Sequence, residues 1–434
     1  MTNTSSLKSS FRRAIRCGTG RAYLLAQAHP GVDFSSAIIE VSLKNFAYDG
    51  QSEPSRAPYL YELYSKSAQQ ARIRRAVLRA LATEQDDTWT LTQLFALALL
   101  FAQHGDTAAR QALYYRFLTR PIAGCDWAGA VEIMTLDGLE GLKYIARKFG
   151  QALARNPEGW QDDHLIVAFQ EQYPAVDAWA ELQQLAGQDE DVRRYLEYVQ
   201  ATRELRAAPR KPQPQNQPGL NDLLQSASRA YGRFALRRAA LKPAEIQQLA
   251  ERLLTEQNPK VRENLLHVFT RIKFPLAYQP ILALARQKIN RQNRLTTQYA
   301  LEALQHLHAP EIRAFALQRL AATTRPGWYT ALLVSNYQAG DAALLTSLVA
   351  RTHDEHMLEM LAGSYTAIYR INKTPECAAP LLALYQKMTC GIHRQKVVAL
   401  LIENEVLPAW LNEELPFDSY AETRLLHQPP AWPR

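Results

Sequence analysis

The sequence predicts an all-α protein built as an α-solenoid, with two arrays of stacked antiparallel helix pairs joined by a proline-rich linker. Three observations predict it. Apolar residues recur with the 3.6-residue period of amphipathic helices almost throughout, no segment alternates with the period of a strand, and only 18 glycines occur in 434 residues. Sheets with many tight turns need residues tolerant of positive φ, so sparse glycine argues against them. A chain of this length needs two or three separate cores unless it grows by stacking. A hydrophobic fraction of 47% and a charged fraction of 21% exclude wholesale disorder.

In chain order, Asp33 is placed to cap a helix over 34–43 whose Ile38, Val41 and Leu43 lie near one face. Ile73, Val77, Leu78 and Leu81 form an apolar stripe, with Arg72, Arg74, Arg75 and Arg79 elsewhere on the surface. Asp87-Thr88 opens a very apolar helix through Leu94, Leu97, Leu100 and Phe101, and Asp106 caps another bearing Leu113, Phe117 and Leu118. Over 1–170 these helices carry no repeat signature. Residues 209–218 hold four prolines and no apolar side chain to bury, so they read as an extended linker. The linker separates an N-terminal helical domain, 1–208, from a C-terminal repeat domain, 219–434.

Past the linker the repeat can be counted. Leu265, Leu301, Leu332, Leu361 and Val397 anchor the second helix of each pair at spacings of 36, 31, 29 and 36 residues. Leu249, Leu284, Leu317, Leu345 and Leu382 precede them by 15 to 17 residues, as the core leucines of the first helices. A constant offset within pairs and looser spacing between them is what stacked hairpins require. Asn258-Pro259-Lys260-Val261-Arg262 resembles the Asp-Pro-x-Val-Arg that opens the second helix of HEAT repeats, and Asp189-Glu190-Asp191-Val192-Arg193 is similar to its core. Pro310-Glu311-Ile312-Arg313 matches in part. The resemblance covers about 175–410 and implies that Asp189, Arg193 and Arg262 are rungs of an inter-repeat hydrogen-bond ladder.

The net charge of +8 is concentrated in one segment. Residues 229–294 hold 14 Lys and Arg against four acidic side chains, whereas 295–434 holds 11 against 13. Arg233, Arg237, Arg238, Lys260, Arg271, Lys273, Arg286, Lys288, Arg291 and Arg294 are the candidate residues for nucleic acid or an acidic partner. A second candidate is the polar loop carrying Asn45, Asp49, Glu53 and Arg56, which either binds a ligand or stitches the first layers together.

Other motifs read as structure. Gly18-Thr19-Gly20 lacks the Lys-Ser/Thr of a phosphate-binding loop and follows no strand, so it is a helix–helix turn. His353-Asp354-Glu355-His356 reads as a turn capped by Asp354. Cys377, Cys390 and His393, a C-x12-C-x2-H pattern, read as buried thiols and a nearby imidazole because no fourth ligand stands at supportive spacing. Asp86-Asp87 and Asp162-Asp163 suit helix starts. No nucleophile elbow, zinc-protease motif or Cys-x-x-Cys is present, so no catalytic residue, metal or cofactor is assigned.

The functional expectation is therefore a non-catalytic scaffold that binds another protein through its solenoid surface. The alternative is a nucleic-acid-binding protein using 229–294, and a less favoured variant is a HEAT-like DNA glycosylase with Glu263 and Trp328 in its cleft. The N-terminal residues lack the apolar run of a signal core, no stretch approaches the length of a membrane span, and scattered cysteines fit a reducing compartment, so the expected location is the cytoplasm, without a membrane partner or small-molecule substrate.

Overall fold

The computed structural model describes residues 4–159, 161–207, 224–225 and 241–428. They fall into two compact units, one within Met1–Gln213 together with Glu414–Arg424, the other within Pro214–Glu413 and Leu425–Arg434. Among the described residues every regular element is an α- or 3-10 helix, packed helix on helix. None of these helices is long and apolar enough to cross a membrane. The linker at 209–218 lies outside the described residues.

The first unit contains α1 (Thr4–Cys17), α2 (Arg21–Ala28), α3 (Ser35–Ser42), α4 (Ala57–Ser65), α5 (Gln70–Thr83), α6 (Thr88–Gln103), α7 (Thr107–Arg116), α8 (Ala130–Arg155), α9 (His164–Gln172), α10 (Ala178–Ala186) and α11 (Glu190–Ala207). The α5 stripe buries Ile73, Val77 and Leu81, while Leu78 is half-buried. Asp87 caps α6 by accepting from the Trp89 and Thr90 N–H groups, and Asp106 caps α7 through Ala109. Asp33 accepts from the Ser35 N–H at 2.9 Å, although Phe34 is the residue at the helix boundary. Leu118, expected on the α7 helix, lies past its end at φ 56°, a left-handed conformation that costs a non-glycine residue about 1 kcal/mol and ends the helix.

A row of arginine–aspartate pairs ties successive helices of this unit together. Arg74 on α5 pairs with Asp106 at the start of α7, with Nη2 to Oδ1 at 2.6 Å. Arg110 on α7 pairs with Asp137 at 2.6 Å, just before Gly138 breaks α8 with φ 56°. Arg147, beyond that break, meets Asp189 at 2.5 Å, and Asp189 in turn accepts from the Asp191 and Val192 N–H groups at the start of α11. Asp106 and Asp189 therefore each do two jobs, capping one helix turn and holding the arginine of a preceding helix, while Asp137 holds Arg110 from within α8. The three arginines are 36 and 37 residues apart. Arg193 departs from the ladder expected of it, pairing along its own helix with Glu190 and Glu197.

The C-terminal segment Glu414–Arg424 belongs to this unit, whereas the sequence reading placed it with the second domain. The Gly18-Thr19-Gly20 turn makes room for it. The Ser419 N–H donates to the Gly18 carbonyl at 2.8 Å, Phe417 stacks on Tyr23 at 4.2 Å, and a Cβ on Gly20 would stand 1.9 Å from the Glu414 carbonyl oxygen. Gly20 is required by that close approach.

The second unit consists of helix pairs: α12 (Pro243–Thr255) with α13 (Pro259–Leu266), α14 (Gln279–Arg286) with α15 (Arg294–Leu304), α16 (Pro310–Ala322) with α17 (Gly327–Thr330), α18 (Asp341–Arg351) with α19 (Glu355–Ile371), and α20 (Ala378–Tyr385) with α21 (Gly391–Glu403). Short 3-10 segments, His267–Thr270 and Ala331–Leu333, extend α13 and α17, and α22 (Ala409–Glu414) follows. The second helices pack on one another in chain order, α13 on α15, α15 on α17, α17 on α19 and α19 on α21.

Their C-terminal ends lie together, so they run parallel. The ring of His306 reaches the Thr270 carbonyl at 2.9 Å. Asn336 donates to the Leu332 and Leu307 carbonyls, both at 2.9 Å, and accepts from the Ala309 N–H at 3.0 Å. Asn372 donates to the Ile368 and Val334 carbonyls at 2.9 and 3.1 Å, and Asn404 donates to Leu400 at 2.9 Å and accepts from the Thr374 N–H at 3.1 Å. Each asparagine closes its own helix and bonds the hairpin before it, satisfying carbonyls that a helix end leaves orphaned. Asn336 is 2% exposed. Asn336→Ala should lower the stability of this unit by about 2 kcal/mol, since it strands the Leu307 carbonyl and the Ala309 N–H without solvent; denaturant titration followed by hydrogen exchange in 305–340 measures the loss.

Candidate functional site

The row of second helices leaves a groove of about 250 Å³ between α15, α17 and α19. Gln298, Glu302 and Gln305 come from α15 and its end, Trp328 from α17, and Met360 and Ser364 from α19. Helical spacing puts Gln298, Glu302 and Gln305 on one face, where the Gln298 amide donates to the Glu302 carboxylate at 2.9 Å. Burial pushes the Glu302 carboxyl above the ordinary carboxylate range, against the pull of that hydrogen bond. Trp328 and Met360 are half-buried, so the groove offers an aromatic ring and a thioether beside polar amides. Gly327 sits where a Cβ would fall 2.5 Å from the Met360 Cβ, which lets α17 approach α19 closely. A larger cavity of about 430 Å³ between α1 and α3 is lined in part by Arg12 and Glu40, which pair with each other at 2.6 Å.

The basic residues occupy the ends of the helix pairs. Arg286 ends α14, Lys288 and Arg291 lie in the following turn, Arg294 opens α15, and all four are exposed. Lys260, at the start of α13, is half-buried and pairs with Glu263 at 2.6 Å. Arg271 and Lys273 are exposed but follow the C-terminal end of the α13 segment. The parallel row puts that end opposite the one where Arg294 begins α15. The structure thus brings Arg286, Lys288, Arg291 and Arg294 into one turn and sets Arg271 and Lys273 apart from them. Arg233, Arg237 and Arg238 lie outside the described residues. Arg262 buries its Nε without a hydrogen-bond partner. Glu263, coupled to Lys260, is not among the residues lining the groove that holds Trp328.

The polar loop is held by hydrogen bonds to α6 and within itself, and it buries Glu53 and Arg56. The Asn45 N–H donates to Thr90 Oγ1 at 3.0 Å and its side-chain amide to the Trp89 carbonyl at 3.3 Å, tying the loop to α6. Asp49 accepts from the Gln51 and Ser52 N–H groups, folding the loop on itself, and the Ser52 side chain, followed by these N–H groups, holds its carboxyl below the ordinary range. Glu53 and Arg56 are both buried and pair at 3.2 Å, and Arg56 also donates to the Arg16 carbonyl at 3.0 Å.

A different cluster forms where α19 meets α21. Cys390, at the N-terminus of α21, and His393, one turn into it, stand with Cys390 Sγ 3.2 Å from His393 Nδ1. Glu359 of α19 brings Oε2 to 2.5 Å from the same nitrogen. Cys390 is 2% and Glu359 7% exposed, while the His393 side chain is 27% exposed. The fully buried Arg394 donates to the Thr389 carbonyl at 3.1 Å, fixing the turn that presents Cys390. Cys377, the other cysteine of the pattern in the sequence, is not part of this group. It is fully buried, and burial pushes its thiol up to about 11. His353 and His356 are exposed near Asp354, which caps α19 by accepting from the Met357 N–H at 2.8 Å. Among the described residues, Glu359, Cys390 and His393 are the one group of three that places potential metal ligands within 4.8 Å of one another. Comparison with family models, curated proteins and solved structures found no match to this chain.

Proposed function

We propose that the chain is a non-catalytic helical-repeat scaffold, with its second unit an α-solenoid akin to HEAT repeats, that binds another protein along the row of second helices. The observation that carries this reading is the groove of α15, α17 and α19, where half-buried Trp328 and Met360 stand beside Gln298, Gln305 and Ser364. Tryptophan and adaptable thioether side chains flanked by polar groups are the composition of protein-binding hot spots. Stacked repeats present such surfaces on rigid helices, so little ordering entropy is lost on binding. The turn with exposed Arg286, Lys288, Arg291 and Arg294 supports nucleic acid as the second reading, with binding that would fall steeply with salt.

One experiment separates the two. The native chain and a Trp328→Ala, Met360→Ala variant are used to capture partners from nuclease-treated lysate. A protein retained by the native chain and reduced at least about tenfold with the variant is the expected result, since loss of two hot-spot side chains costs about 2 kcal/mol or more. Equal capture of a protein by both overturns the groove as its binding surface, and capture of nucleic acid alone when nuclease is omitted overturns the protein reading.

A further inference from the structure

The geometry points to a divalent-metal site of the zinc class formed by Glu359, Cys390 and His393. Thiolate sulfur, imidazole nitrogen and carboxylate oxygen are the three donor types that bind zinc, and a thiolate disfavours magnesium and calcium. Here one atom of each kind lies within 4.8 Å of the other two. Glu359 Oε2 supplies the independent sign. It is buried and accepts no hydrogen bond, although it stands 2.5 Å from His393 Nδ1, so the two atoms are close without the alignment of a donor and an acceptor. Three potential ligand atoms turned toward one another, one of them buried without a hydrogen bond, are arranged as they would be around a cation.

A catalytic relay of the Cys-His-carboxylate kind requires the thiol on one ring nitrogen and the carboxylate on the other. In this chain both approach Nδ1, which a relay cannot use and a shared ligand sphere can. Bonds of about 2.3 Å to sulfur and about 2.0 Å to nitrogen and oxygen place tetrahedral donors about 3.3 to 3.6 Å apart. The Sγ–Nδ1 separation of 3.2 Å is already near that value, and the Nδ1–Oε2 pair must open by about 1 Å, within reach of a half-exposed imidazole. The exposed edge of His393 leaves the fourth position to water or to a group from a bound partner. Since Glu359 and the cysteine–histidine pair come from adjacent second helices, the metal would clasp α19 to α21.

The test is a cobalt(II) titration of the full-length, metal-stripped chain. One cobalt per chain is expected, with thiolate-to-cobalt charge-transfer absorption and tetrahedral ligand-field bands, all displaced by zinc. Cys390→Ser should abolish the charge-transfer band, Cys377→Ser should leave it intact, and Glu359→Gln and His393→Ala should each weaken binding by about 100-fold or more, beyond the 10- to 100-fold effect of outer-shell losses. Absence of the band in the native chain, or its survival in Cys390→Ser, overturns the site. If the variants fail to fold, X-ray absorption at the zinc edge of the loaded native chain decides. One sulfur with nitrogen and oxygen neighbours supports the site, and any other sulfur count overturns it.

Discussion

Replacing Asp341 with alanine should destabilise the second unit by about 3 to 5 kcal/mol, the loss that follows when one member of a buried ion pair is removed. Asp341 opens α18 and is 7% exposed; Arg313 of α16 grips it with two hydrogen bonds, Nη1 to Oδ2 at 2.7 Å and Nη2 to Oδ1 at 2.8 Å. The same carboxylate accepts from the Gln338 N–H at 2.8 Å, and the same guanidinium donates to the Asn336 carbonyl at 2.8 Å. Alanine at 341 leaves the Arg313 side chain, 16% exposed, without its counter-charge and the Gln338 amide without its acceptor. A double-mutant cycle isolates the pair. In an Arg313→Ala background, Asp341→Ala should cost less than half as much, because the stranded charge is already gone. Hydrogen exchange in 310–351, with the first unit as an internal reference, reads the loss where it occurs. Additive losses in the cycle would mean that the two side chains act independently.

Sequence periodicity found the helix pairs because each buries a stripe that recurs locally. Leu265, Leu301, Leu332, Leu361 and Val397 are all buried at 3% exposure or less. The first helices face the core one position away from the expected leucine in three cases: Leu284, Leu317 and Leu382 are half-buried, and their neighbours Ala285, Ala316 and Leu381 are buried. One residue of offset turns a helix by about 100°, and a stripe wide enough to hold both neighbours does not distinguish them. The arginine–aspartate rungs of the first unit were invisible because their partners are 27 to 42 residues apart and on different helices. A signal was nonetheless present, since Asp106 and Arg110 share the four-residue spacing of Asp189 and Arg193. The third member of the cysteine–histidine cluster could not be read from spacing at all. Glu359 comes from the preceding hairpin, and only the packing of α19 on α21 brings it to His393.

The first unit should lose stability as pH rises from about 4.5 to about 7, and Glu414→Gln should remove that part of the loss. Glu414 is 2% exposed, and burial raises its carboxyl to about 7, with the Arg21 guanidinium 3.8 Å away opposing the rise and Asp418 adding to it. A carboxyl that keeps its proton to higher pH when folded makes the folded state the greater proton binder. Its favourable contribution is therefore complete below the unfolded value and is lost as pH rises through the folded one. A displacement of this size corresponds to about 3 kcal/mol at pH 8. Glutamine keeps the shape and has no proton to lose, so the variant should match the native chain at pH 4 and exceed its stability at pH 8. The segment that carries Glu414 is the one docked against the Gly18-Thr19-Gly20 turn, so the charge should first loosen the contacts of Phe417 with Tyr23 and of Ser419 with Gly18. Hydrogen exchange of 414–424, measured for both proteins at the two pH values, reports this directly. Protection relative to the intrinsic exchange rate at each pH is expected to fall at pH 8 in the native chain alone, and the same fall in Glu414→Gln would assign the pH response to other groups.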